Sequence, residues 1–322
     1  MLSRPQMLVL MLLLTLAAAA PVQAQFPDLV DISSQYLPGV ELDLPPAKTQ
    51  VSAYDFSLNI PLVLAERSTF LIPGASYHAD SMSYSQAPPQ LDQIKLLQSI
   101  DASALFVQML PDNWSVSIRV SAGIAGDFAA IDRRLLRLNA LVMASHAFSD
   151  RFVLGGGALT NYAFGGLLPL PAIYVEYLPI PELRLEAFIP AFANIRYTIA
   201  KRVELGLRAE VQGNAYGIRS EQVSADWPCV ALSRDDPALP GRQDVADSER
   251  CVDHVAYSVI SAGFHVGVRL FATLWLTSFA GHTLYRRLEP MTATDKPIDS
   301  ELQTLPNAWT VRVNLTWRIP RE

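Results

Sequence analysis

The chain has 322 residues, half of them hydrophobic and only 17% charged, against roughly 25% charged in an average soluble chain. A formal net charge of −6 lacks the basic footprint that nucleic acid requires, so no nucleic-acid partner is expected. Beyond the leader, no stretch supplies the ~18 consecutive apolar residues of a membrane helix. Alternating strands are then the natural outlet for the excess of apolar residues.

Residues 1–24 read as a secretory signal peptide. "MLSRPQMLVLMLLLTLAAAAPVQAQF" has Arg4 in its n-region, an apolar run from Met7 to Ala20 and a small-x-small cleavage pattern at Val22-Gln23-Ala24. Cleavage near Ala24 exports one domain, residues 25–322. "YLPGVELDLPP" follows, with Val40, Leu42 and Leu44 alternating with Glu41 and Asp43 as a first strand. Alternation is longer at Tyr54–Leu62, Trp114–Ile124, Leu183–Ile189, Val203–Val211, Ser258–Leu270 and Trp309–Ile319. Period two sends successive side chains to opposite faces. Runs this long match the ~9–11 residues of a membrane strand.

Short turns are expected near Ala65–Arg67, Pro111–Asn113, Ser149–Arg151, Pro179–Glu182, Ala200–Arg202 and Ala272–Thr273. Between them fall mostly longer links at Asp80–Gln98, Asp127–Asp132, Phe164–Pro169, Ala191–Ala193, Ile218–His254 and Arg287–Pro306. Alternating short and long connections are the mark of an outer-membrane barrel. Parity then requires an outward strand before the one at Val51–Leu64. The expected fold is therefore all-β, an antiparallel up-and-down transmembrane β-barrel of about 14 strands, with 12 if the first segment is a plug or arm. Both ends lie in the periplasm.

The longest link, 218–254, carries eight acidic and three basic residues from Ser220 onward. It holds the chain's two cysteines, Cys229 and Cys251, which in an exported protein read as a disulfide. Such a loop constricts a pore, caps it, binds a partner or a divalent cation, or is simply a solvated face. No calcium-loop spacing occurs, so no metal is expected. The end, "WTVRVNLTWRIPRE", resembles the carboxy-terminal strand that barrel-assembly machinery reads, with Ile319 in the slot usually held by an aromatic residue.

The stretch "LLPLPAIYVEYLPIPELRLEAFIPAFANIRYTIAKRVELGLRAEVQGNAYG" resembles uncharacterised, porin-like outer-membrane β-barrel families of diderm bacteria. That resemblance implies fold and location: the outer membrane of a Gram-negative bacterium, with its lipid and lipopolysaccharide as surroundings. It implies no substrate.

With the apolar face toward lipid, the opposite parity lines the lumen. The lumen set is Arg119, Arg184, Glu186, Arg196, Glu204, Arg208, Glu210, Gln212, His265, Arg269 and Arg312. These residues form either a selectivity lining or an interlocking polar fill, of which the fill is the simpler reading for a small barrel. Tyr54, Trp114, Tyr197, Trp309 and Trp317 are the expected aromatic girdle. The glycine run "LGGGALTNYAFGG" lacks the Gly-Lys-Ser/Thr ending of a phosphate loop. Neither a His-Glu-x-x-His pair nor a Gly-x-Ser-x-Gly elbow is present. No cofactor, metal site or catalytic set is expected.

A narrow pore or solute-binding barrel is the leading functional reading. The alternative is a non-conducting structural or adhesion barrel that recognises partners through its external loops. An outer-membrane hydrolase using His265 or His282 with a loop carboxylate comes third.

Overall fold

The computed structural model describes residues 27–41, 48–65, 68–85, 95–129, 131, 135–161, 168–218, 253–291 and 305–318. Alternation becomes strand nearly throughout. The first segments are β1 (Val30–Glu41), β2 (Lys48–Asn59), β3 (Leu62–Ala65), β4 (Thr69–Ser85) and β5 (Leu96–Met109). The middle ones are β6 (Trp114–Gly126), β7 (Leu136–Ser149), β8 (Phe152–Asn161), β9 (Leu168–Ile180) and β10 (Leu183–Ile189). The last are β11 (Phe192–Ile199), β12 (Val203–Gly217), β13 (His254–Arg269), β14 (Leu274–Met291) and β15 (Trp309–Trp317).

These segments make fourteen staves, because β2 and β3 both pair with β4 and are one strand interrupted at Ile60-Pro61. Proline has no N–H to give a ladder, so the pairing lapses there and resumes at Leu62. Consecutive staves pair antiparallel, and β1 closes on β15 from Val30↔Trp317 to Tyr36↔Val311. The sheet is a closed, even-numbered barrel without free edges.

Six short turns alternate with links that are longer except at β10–β11, where only Pro190 and Ala191 intervene, and the two chain ends meet at the short-turn end. Two turns have the backbone of tight hairpins. Asp112 (φ 56°) and Asn113 (φ 61°) join β5 to β6, and Ala200 (φ 48°) and Lys201 (φ 56°) join β11 to β12. Paired positive φ angles match the twist of the flanking strands.

The structure departs from expectation at two kinds of place. The first strand is Val30–Glu41, which contains Tyr36–Glu41 of the expected segment and starts further upstream, while the rest of that segment, from residue 42, lies outside the described residues. Ser34 interrupts the apolar parity between Ile32 and Tyr36 and hides the upstream part from a pattern reading. Several strands also outrun their apolar alternation. β4 continues through Asp80 to Ser85 and β14 through Arg287 to Met291, so two of the long links are shorter than expected. Polar residues there find protein partners, as in the Arg287–Glu289 pair at 2.5 Å.

The outside is apolar all round. Ile32, Phe56, Ile100, Val120, Leu138, Ile173, Leu207, Phe264, Val311 and Val313 are all exposed. A continuous belt of this kind suits hydrocarbon rather than water.

Candidate functional site: the barrel lumen

Inward parity gathers polar residues from every stave, and they sort into three regions. The first is a wall of ion pairs on β9–β15. Glu176 is fully buried, pairs with Arg184 at 2.7 Å and accepts a hydrogen bond from the Tyr174 hydroxyl at 2.6 Å. Arg184 lies 3.8 Å from Glu186, which also binds Arg196. Glu204 accepts from Arg318 at 2.8 Å and lies 3.8 Å from His265 Nε2. Glu210 receives Arg208 Nε at 2.7 Å, Gln212 Nε2 at 3.3 Å and both terminal nitrogens of Arg312. Arginine rather than lysine suits this wall, because a planar guanidinium can bridge carboxylates and lie on a ring at once. Arg312 sits 5.6 Å from the Phe279 ring centroid and Arg318 sits 4.7 Å from that of Trp275. To reach Glu210, Arg312 crosses β13 and β14, which present Gly263 and Gly281 to the lumen. A Cβ at Gly281 would meet the Phe279 ring.

The second region is a chamber of about 420 Å3 against β1–β8 and the middle of β12. Its order comes from a linear chain of hydrogen bonds. Ser33 Oγ donates to Asp55 at 2.7 Å, and Asp55 meets His78 Nδ1 at 2.5 Å. His78 Nε2 meets Asp80 at 3.0 Å, and Asp80 accepts from the Tyr216 hydroxyl at 2.9 Å. Both nitrogens of His78 therefore face carboxylate oxygens, and the ring is spent as a clamp between β2 and β4.

The third region seals the long-link end. Leu37, Val51, Met82, Leu97, Tyr216, Val255, Tyr257, Val259 and Leu288 converge across the lumen, each at most 5% exposed. Two non-neighbouring strands touch here. Gly217 of β12 pairs with Gly126 of β6, and Asp127 N–H donates to the Gly217 carbonyl at 3.1 Å. Arg137 Nε donates to the Ala215 carbonyl at 2.7 Å and fastens β7 to the same seam. The contact needs glycine, because a Cβ at Gly126 would run into the Gly217 carbonyl oxygen and the Leu135 side chain.

The lumen set named from sequence distributes as follows. Arg184, Glu186, Arg196, Glu204, Arg208, Glu210 and Arg312 lie on the ion-pair wall with His265, while Arg119 and Gln212 line the chamber. Arg269 stands at the short-turn rim, where it donates to the Phe271 and Lys201 carbonyls, each at 3.3 Å. Asp55, His78, Asp80, Asp101, Glu176 and Arg318 were missing from that set, although strand parity alone would have placed them inside. His265 and His282 do not converge. His265 faces the lumen, whereas His282 faces outward, edge-on to Trp309 with centroids 5.4 Å apart.

On the outer face, Tyr54, Trp114, Tyr197, Trp309 and Trp317 are all exposed, Trp309 most of all at 67%. A stack unforeseen from sequence continues from Trp114 through His146, Phe148 and Phe152 to Tyr177, with centroid spacings of 4.8, 4.6, 5.6 and 6.1 Å. It crosses four strands near the short-turn end. Cys229 and Cys251, and with them the disulfide expected in the acidic link, lie outside the described residues. Among the described residues no cluster of His, Cys, Asp and Glu is arranged to hold a metal ion.

Solved structures similar to this chain include the COG4313 outer membrane channel from Pseudomonas putida F1, with a TM-score of 0.43 at 9% identity over 93% of this chain and 98% of that one. Another is the NanC porin, with a TM-score of 0.37 at 7% identity over 90% of this chain and 99% of that one. A third is outer membrane phospholipase A from Escherichia coli, with a TM-score of 0.35 at 10% identity over 91% and 98% of the two chains. No curated protein matches the sequence. A family model matches residues 20–226, more than half of the chain, and the protein belongs to that family, described as Domain of unknown function (DUF6268).

Proposed function

We propose that this protein is an exported outer-membrane barrel that admits a small polar solute into its lumen and holds it there. The signal peptide at residues 1–24 supports export. The apolar belt supports residence in a bilayer, with the short turns in the periplasm and the long links outside. The observation that carries the solute reading is the chamber itself, a polar space of about 420 Å3 left open beside a wall whose charges are otherwise packed against one another. A barrel serving only as a scaffold gains nothing from such a space.

The apolar seal favours a second reading, a non-conducting barrel that recognises partners through its external links. Leu37, Leu97, Tyr216 and Leu288 close the lumen toward the long-link end. In the solute reading the same side chains are a gate. Solute entry into proteoliposomes separates the two readings. The wild type is expected to admit small solutes slowly, and Leu97→Ala with Leu288→Ala to admit them faster. Retained heat-dependent gel migration would show that the variant is still folded. No entry through either form would sink the solute reading and leave the structural barrel standing.

A further inference from the structure

Resting on the reading of the lumen as a solute chamber, we propose that its ligand is a small zwitterion of amino-acid size, whose carboxylate meets Arg119 and whose ammonium meets Asp101. The argument comes from which charges the fold leaves unmatched. Asp55 and Asp80 are engaged by His78 at 2.5 and 3.0 Å, and the Ser33 and Tyr216 hydroxyls donate to the same pair. Each arginine of the ion-pair wall rests on a glutamate. Asp101 and Arg119 differ. Both line the chamber, and among the described residues neither has an oppositely charged partner at ion-pair distance. Asp101 has the Ser99 hydroxyl beside it, and Arg119 is exposed to the lumen.

The spacing of the two suits a ligand that joins them. They attract one another from neighbouring strands, but Asp101 stands opposite Gly123 and Arg119 opposite Leu105. Four residues of β6 separate those levels, ~13 Å at the rise of a strand. Ser103 and Ser121, paired between them, face the same space and are too small to fill it. A simple cation entering here finds Asp101 but also Arg119, and an anion meets the reverse. Either sheds its water for one attraction and one repulsion. A molecule carrying both charges matches both heads at once. The planar guanidinium presents parallel N–H groups to a carboxylate, and the Asp101 carboxylate accepts from an ammonium. A volume of about 420 Å3 falls toward the small end of ligand cavities, which run from ~300 to 1,000 Å3.

The test uses the full mature chain, folded in detergent. Equilibrium dialysis measures radiolabelled L-glutamine against its two singly charged halves, 4-aminobutanamide without the carboxylate and glutaramate without the ammonium. Saturable L-glutamine binding is expected, with each half at least about tenfold weaker. Arg119→Gln should lower L-glutamine affinity by about tenfold while 4-aminobutanamide binds no worse than before. Asp101→Asn should do the same with glutaramate spared. Side chains that only brace the wall would instead weaken all three ligands alike, and that result in folded variants, judged by the heat-dependent gel shift, would overturn the assignment. So would folded variants that bind L-glutamine like the wild type. Either half binding the wild type as tightly as L-glutamine would overturn it without any variant, and would leave the solute chamber intact. If none of the three binds, the zwitterion assignment falls, and solute entry into proteoliposomes still decides the chamber reading separately.

Discussion

The two halves of the lumen wall are made of similar residue types and end in opposite states. On β9–β15 four glutamates and five arginines are packed into contact, and aromatic rings fill what space the guanidiniums leave. On β1–β8 the carboxylates are aspartates, shorter by a methylene, and most of their neighbours are serine and asparagine. Long side chains reach across neighbouring staves and fill the lumen; short ones engage an adjacent stave and leave a chamber. Side-chain length, more than charge, separates the filled half from the open one.

The sharpest way to break this contrast is to remove a hub on the filled side. Glu210→Ala strands Arg312 in a buried site and leaves the part-exposed Arg208 without its partner, and breaking a buried pair from one side costs about 3–5 kcal/mol. The expected readout is a clear drop in the temperature of heat-dependent gel migration. On the open side the same kind of change should be milder. Asp80→Asn leaves hydrogen-bonding capacity toward His78 and Tyr216, so about 1–3 kcal/mol is expected in urea titration from lipid. An equal loss at the two positions would erase the distinction between the halves.

The outer face supplies a smaller control. Trp114→Leu removes the first ring of the stack that ends at Tyr177, and about 0.5–1.5 kcal/mol should be lost with no effect on solute entry. Smallest is a gain. Ala200 and Lys201 occupy left-handed backbone, which costs a residue with a Cβ about 1–2 kcal/mol. Ala200→Asn with Lys201→Gly gives the turn the residues it favours and should raise the unfolding midpoint without touching either half of the lumen.

Much of the barrel was legible in the sequence, because membrane strands write both faces into one parity. Val203, Leu205 and Leu207 point out and Glu204, Arg208 and Glu210 point in, as alternation alone dictates. Counting turns then required one more strand before Val51, and that strand exists. Its upstream part, Val30–Gln35, escaped because Ser34 breaks the outward parity of β1. The seal escaped for a deeper reason. Leu37, Val51, Met82 and Leu97 are apolar residues on the inward parity, so a rule that sends apolar side chains to lipid has no place for them. A signal was available at "HVAYSV", where Val255, Tyr257 and Val259 take the inward parity while His254, Ala256 and Ser258 take the outward one, the reverse of the usual assignment. The His78 clamp was hidden differently. Asp55 and Asp80 sit on separate strands that pair only in three dimensions, and nothing local announces that Asp55 will stand opposite His78.

The seam between Gly126 and Gly217 has a mechanical corollary. Gly217 is the last residue of β12, and the chain leaves it directly for the longest link; the return arrives at Asp253, whose carbonyl accepts the Ile218 N–H at 3.1 Å. The covalent path of that acidic segment is thus anchored at the one point where the barrel is pinched shut. A pull on either end of that link is felt first at the pinch, which makes Gly217 and Ile218 the handle on the mouth.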